Sequence, residues 1–144
     1  MRTQGANRVG RFSVDFEIVN HDDLRDQQRG LLPPDKVRRL TIRGVVDSGA
    51  TKIVLPGKAV KQLGLPHLGK VKVRYANNST ATRDTVTVHV QLLGREGIFT
   101  AVVEPKRRSA LIGAIVLEDL DFIVDCTHQR LMPRDPRFIV SEVE

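Results

Sequence analysis

Apolar and polar residues alternate from Arg11 to Val19: Phe12, Val14, Phe16 and Ile18 share one face, and Ser13, Asp15 and Glu17 the other. That period of two predicts a half-buried strand. Asn20 to Asp35 is polar, carries Gly30 and Pro33-Pro34, and reads as a surface excursion. Val37, Leu40, Ile42, Val45 and Val46 mark a second strand running into Asp47-Ser48-Gly49. Ala50 to Leu55 forms a third, closed by Pro56. Ala59, Val60 and Leu63 are spaced for a short helix over Gly57 to Leu63, with Gly64 as its stop. Val71 to Ala76 and Thr82 to Leu93 are predicted strands, joined as a hairpin through Asn77-Asn78-Ser79-Thr80. A second turn, Gly94-Arg95-Glu96-Gly97, leads into a strand from Ile98 to Val103, and a basic loop follows from Pro105 to Ser109. Ala110-Leu111-Ile112 is a short buried strand ending at Gly113, and Ile115 to Leu120 a helix of one or two turns. Phe122 to Val124 and Arg130 to Met132 are short strands around a turn at Cys126 to Gln129, and Phe138 to Val143 could form a last one.

Many short strands at this turn spacing predict an all-β sandwich or barrel with minor helices. The 144 residues suit one domain, with a core over about 10–133 and a C-terminal tail or interface strand over 134–144. Apolar residues make up 40% of the chain, rich in Val and Ile and without Trp, which suits an aliphatic core of strands. The formal charge of +6 speaks first to solubility. It would also attract acidic substrates. Nucleic-acid binding would call for aromatic stacking platforms, and the five Phe and one Tyr are scattered. Cys126 is the lone cysteine, so no internal disulfide forms, and a reducing compartment fits. The N-terminus lacks the apolar stretch of a signal peptide, and the longest apolar run, Ala110 to Leu117, is too short for a bilayer. A cytoplasmic protein without a membrane partner is expected.

The segment that bears on chemistry is Val45-Val46-Asp47-Ser48-Gly49-Ala50-Thr51. Read in isolation, Asp-Ser-Gly is an ordinary turn. This one, however, interrupts apolar strand on both sides, with Val45-Val46 before it and Ile53-Val54-Leu55 after. Burying a carboxylate there costs several kcal/mol, as a rough estimate, without compensation. Gly49 permits a sharp turn that brings amide N–H groups to the carboxylate, and Ser48 and Thr51 offer hydroxyls.

The segment resembles the D-[ST]-G-[AS] signature of aspartic peptidases. Ala110-Leu111-Ile112-Gly113 is similar to the hydrophobic-hydrophobic-glycine segment that precedes a helix in retropepsins. The flap hairpin between the two is matched by Val71 to Val90, and the order of elements covers about Gly10 to Pro133. The resemblance is greatest to the bacterial retropepsin-like group. It implies a mostly-β, closed barrel-like retropepsin (acid protease) fold with one or two short helices. It also implies a homodimer that hydrolyses peptide bonds without a cofactor or metal. Asp47, Ser48 and Gly49 would be the catalytic turn: two Asp47 carboxylates activate one water, and Ser48 hydrogen-bonds across the subunit boundary. Ala50, Thr51, Ala76, Asn77, Asn78, Ser79, Thr80, Ile112 and Gly113 would contact an extended peptide, with Asn77 to Thr80 as flap tip. This tip lacks the glycines of viral flaps, and the excursion at 20–35 has no counterpart in the minimal viral enzymes.

Other constellations are weaker. A Ser48 nucleophile would want Gly-x-Ser-x-Gly, and Val46 occupies the first glycine position. His21, His67, His89 and His128 are dispersed, and Cys126 with His128 lacks a second ligand pair. Asp119, Asp121 and Asp125 read as solvated acids, since Ile123 and Val124 stand where a calcium loop needs an oxygen ligand and a glycine. Tyr75 could hydrogen-bond near the site, or serve only as an alternating strand residue. Two other functions compete with a peptidase: a catalytically silent dimeric peptide-binding module of the same fold, and a basic nucleic-acid-binding β-domain.

Overall fold

The structure, a computed structural model, describes residues 11–144. Gly10, where the resemblance begins, lies outside the described residues. The alternating segment forms β1 (Phe12–Val19), which pairs antiparallel with β2 (Arg39–Val46) over its whole length. Phe16, Ile18 and Val19 are buried, and Phe12 and Val14 pack against the same core. On its other edge the end of β1 pairs with β5 (Thr80–Leu92), Glu17 opposite Gln91 and Val19 opposite His89.

That second pairing closes a barrel. Around it run β1, β2, β7 (Ala110–Ile112), β3 (Ile53–Pro56), β6 (Arg95–Glu104) and β5, which returns to β1. Among the described residues β4 (His67–Arg74) pairs only with β5 and lies outside the closed ring, so the β4–β5 hairpin projects from it. Ile18, Val46, Ile53, Leu55, Val88, Val90 and Ile112 fill the interior with exposures of 1% or less. Closure removes the edges of the ring strands and leaves β4 as the edge strand of the sheet.

Among the described residues three short α-helices decorate the barrel, one more than the upper expectation. α2 (Gly57–Leu63) and α3 (Ala114–Asp119) stand where the apolar spacing puts them. Gly64 ends α2 in the left-handed conformation at φ 59°, which glycine adopts without strain. α1 (His21–Gln28) lies within the polar excursion, where no helix is expected. It has almost no apolar face to announce it; polar contacts hold it instead. The Asn20 side chain accepts from the Asp23 N–H at 3.0 Å and donates to the Leu63 carbonyl at 2.9 Å. Asp23 accepts from the Arg38 backbone N–H and from its Nε and Nη2, at 2.8–3.0 Å. The excursion is thereby stapled shut at its base.

Three further expectations are corrected. Arg95 and Glu96 belong to β6, because the chain reverses in two residues, Leu93 and Gly94, both at positive φ. Phe138 to Val143 forms no strand, and Phe138 and Val140 are exposed. Asp121 and Asp125 are not simply solvated: Asp121 is paired with Arg134 at 2.8 Å, and Asp125 with His128 and Arg130. They flank the small sheet of β8 (Phe122–Asp125) and β9 (Arg130–Pro133).

Candidate active site

Asp47 is the first residue beyond β2, and the parallel pairing of β2 with β7 sets its neighbours. Val46 stands opposite Ile112, and the Asp47 N–H donates to the Ile112 carbonyl at 3.0 Å. The chain then turns: the Ala50 N–H donates to the Asp47 carbonyl at 3.1 Å, and the Gly49 N–H to the carboxylate Oδ1 at 3.0 Å. The other carboxylate oxygen, Oδ2, is paired with the Arg11 guanidinium. The hydroxyls of Ser48 and Thr51, expected as donors, are not among its partners. Asp47's side chain is 14% exposed, whereas Ser48, Gly49 and Thr51 are exposed.

Arg11 carries no motif and stands at the start of the alternating segment. The register carries the missing signal: Phe12 faces Val46 in antiparallel pairing, so residue 11 comes level with residue 47.

The Asp47 turn and the start of α3 are locked together. Ala114 N–H donates to the Ala50 carbonyl at 2.8 Å, and Ile115 N–H to the Thr51 carbonyl at 3.0 Å. Gly113 makes this possible. A Cβ there would lie 2.6 Å from the Lys52 carbonyl oxygen, 2.8 Å from that of Ala50 and 2.9 Å from that of Thr51. Real side chains do not approach backbone so closely. The hydrophobic-hydrophobic-glycine segment is therefore a seat for the aspartate turn. Ile112 is fully buried and Gly113 buried as well, so neither lines the cleft where peptide contacts were expected; half-buried Leu111 does.

Beside the turn opens a cleft of about 730 Å³. Gly49 to Lys52 form one side of it, with Val54, Val102 and Leu111 among the barrel residues. The β4 strand forms another side, where Val71 and Val73 are half-buried and the alternate Lys72 and Arg74 are exposed. Tyr75 also lines the cleft, and its hydroxyl donates to Glu104 Oε2 at 2.5 Å. Arg83 Nε donates to the other oxygen of Glu104 at 2.9 Å. The Glu104 carboxylate holds the Tyr75 hydroxyl above its ordinary titration range.

At the hairpin tip the Tyr75 N–H donates to the Ser79 carbonyl, and the Asn78 N–H to the Tyr75 carbonyl, both at 2.9 Å. Asn78 takes φ 69°, so asparagine fills the left-handed position that a glycine would otherwise serve. Asn77 Oδ1 accepts from the Ser79 N–H and hydroxyl, which stiffens the turn. Ala76 to Thr80 are all exposed, at the far end of the hairpin.

The family model described as aspartyl protease matches residues 36–116, more than half of the chain. The chain belongs to the aspartyl protease family. The match runs from before β2 through the Asp47 turn and the hairpin to α3, so it includes both halves of the interlocked turn. The closed barrel, the aspartate turn seated on Leu111-Ile112-Gly113 and the projecting hairpin form the retropepsin-like fold that the sequence resemblance implied. No curated protein matches the chain. Among solved structures, it is similar to a retropepsin-like aspartic protease from Rickettsia conorii (18% identity, 80% of this chain and 86% of that one, TM-score 0.47). It is also similar to EIAV protease complexed with an inhibitor (17% identity, 56% and 77%, TM-score 0.49). A third is the foamy viral protease-reverse transcriptase (17% identity, TM-score 0.46); the match covers 54% of this chain and spans only 10% of that longer one. Among the described residues, no helix of this aspartyl protease chain is long and apolar enough to cross a membrane.

Proposed function

We propose that the chain is one half of an aspartic endopeptidase and that two copies pair to complete one active site. The observation that carries this reading is the Asp47 turn, a carboxylate held by the Gly49 amide beside a peptide-sized cleft. Among the described residues Glu104 is the carboxylate that lines this cleft, and Arg83 and Tyr75 already occupy it. The second acid is therefore assigned to Asp47 of another copy, across a two-fold axis that brings the exposed Ser48-Gly49 edges together.

In that arrangement one ionised carboxylate removes a proton from a water held between the pair. The water oxygen attacks the peptide carbonyl carbon, and the protonated carboxyl donates to the carbonyl oxygen. Collapse of the tetrahedral intermediate breaks the C–N bond: the amine leaves with the proton that the first carboxylate took from the water, and a diol hydroxyl returns its proton to the second. Two carboxylates about 3 Å apart share one proton, so their titration belongs to the pair. The substrate lies extended between the Asp47 turn and the β4–β5 hairpin, held by main-chain hydrogen bonds as an added strand. Ala50, Thr51 and the tip residues Ala76 to Thr80 are its neighbours, and Ile112 and Gly113 support the turn from beneath. Arg11 must leave Asp47 before the water can bind. The reducing compartment that suits a lone exposed Cys126 makes the cytoplasm the proposed location.

The Arg11 ion pair also gives the rival reading its one specific support, since a carboxylate bound to guanidinium is not a free base. Digestion of an unfolded protein mixture separates the two. Wild type should cleave it, and Asp47→Asn, which keeps the shape and loses the base, should be folded and inactive. Peptide binding by wild type with no cleavage would favour the silent module. Equal cleavage by a folded Asp47→Asn would remove Asp47 from the chemistry.

A further inference from the structure

Two arginines line the cleft, Arg74 and Arg107, and Arg74 is exposed on β4. The carboxylate of the lining, Glu104, is matched by Arg83. Arg107, in the turn between β6 and β7, is half-buried and lines the cleft without a carboxylate partner among the described residues. It is nevertheless fixed in place. Its Nε donates to the Ser109 carbonyl at 2.8 Å and its Nη2 to the Ser109 hydroxyl at 3.2 Å. A guanidinium has five N–H donors, so Nη1 and one N–H of Nη2 are left to bind something else. Arg107 also lines a second cavity of about 460 Å³, next to Arg11 and Phe12, so the fixed charge stands between two spaces. The other cations of the lining are Lys52, half-buried on the Asp47 side, and the exposed Lys72 and Arg74 of β4.

A half-buried, immobilised guanidinium without a counter-ion is suited to a planar carboxylate, which it binds in bidentate fashion. We propose that Arg107 is a specificity residue that selects substrates bearing a Glu or Asp side chain at one position beside the scissile bond. The proposal names the substrate class of the peptidase site and rests on that reading. Its chemistry is recognition only, and no bond is made or broken by Arg107.

The test uses fluorogenic peptides of one fixed Val- and Ser-rich sequence, with Glu, Gln or Lys placed at each position in turn around the scissile bond. Cleavage by wild type and binding to Asp47→Asn are both measured. At one position Glu should raise kcat/KM over Gln by about tenfold, the scale of one charge-assisted contact. The same preference should appear in binding. Arg107→Gln should abolish the ratio, and Arg107→Glu should invert it toward Lys, an outcome that damaged folding cannot produce. If nothing is cleaved but binding shows the Glu preference, the peptidase reading falls and this one stands. If no position prefers Glu in either readout, or the preference survives Arg107→Gln, the proposal is overturned. The second case would assign the preference to another cation of the cleft, such as Lys52.

Discussion

Replacing Gly113 by alanine should damage stability and activity together, because one atom would enter the seat of the aspartate turn. The added methyl would meet three backbone carbonyl oxygens, those of Lys52, Ala50 and Thr51, at 2.6–2.9 Å. Backbone cannot rotate aside as a side chain can, so the 50–52 loop or the start of α3 must shift. Either shift strains the two hydrogen bonds that join them, from Ala114 to Ala50 and from Ile115 to Thr51. Overpacking of this kind costs about 1–3 kcal/mol, and the backbone neighbours place it at the upper end. For a domain of this size that lowers Tm by roughly 10 °C. Asp47 is tied to the same region through the Ile112 carbonyl, so the carboxylate moves with it. A misplacement near 1 Å costs about a hundredfold in rate. Thermal unfolding and kcat/KM on a peptide substrate measure the two effects. Gly69→Ala is the control, because its Cβ would meet nothing nearer than Thr85 Oγ1 at 3.9 Å, and it should change stability by less than about 1 kcal/mol. A Gly113→Ala protein with wild-type Tm and wild-type activity would refute the reasoning.

Asp23→Ala should lose about 1–3 kcal/mol, since it removes the acceptor of three Arg38 donors. Arg38 holds the Asp23 carboxyl below the ordinary carboxylate range, so this stabilisation is present above the unfolded value of about 3.9 and is lost as pH falls through the lower folded value. Denaturant unfolding of both proteins across pH should show the gap closing in acid, and a gap unchanged from neutral to strongly acid pH would be inconsistent with it. Tyr75 is the one tyrosine of the chain, so an alkaline ultraviolet titration reads it alone. It should ionise above the ordinary value of about 10, and Glu104→Gln should bring it down; no movement would separate Tyr75 from Glu104.

Alternation and turn residues made most of the barrel legible. β1 and the inner half of β2 read directly from their buried faces, and α2 from three apolar residues and a glycine stop. Closure did not read from pattern, because the β1–β5 contact joins Glu17–Val19 to His89–Gln91 across most of the domain. α1 stayed hidden because hydrophobic periodicity sees only apolar faces, and this helix is held by Asn20, Asp23 and Arg38. Asn20 followed by Asp23 was its one local signal, a capping pair. The turn at Leu93-Gly94 was displaced because leucine rarely takes positive φ, so the reading spread the turn over Gly94 to Gly97. At the site the motifs located Asp47 and Gly113, and the resemblance implied that their segments lie side by side, but not the carbonyl contacts that seat one on the other. Ile112 and Gly113 act from beneath, and only the three-dimensional packing distinguishes supporting the turn from touching a peptide. Arg11 and Arg107 carry no motif; Arg11 becomes visible through Asp47 opposite it, and Arg107 through a charge left unmatched among the described residues.

The central claim is that two Asp47 carboxylates from two copies make one catalytic site, and subunit mixing tests it most directly. Wild type is exchanged with an excess of Asp47→Asn, and activity is measured per wild-type chain. If pairing is random and a mixed pair is inactive, about nine mutant chains to each wild-type chain leave roughly one tenth of the activity. Wild type alone should likewise lose specific activity on dilution below its dimer dissociation constant. A wild-type chain that keeps full specific activity at high dilution, and is not poisoned by the mutant under conditions that allow exchange, would contradict the shared site.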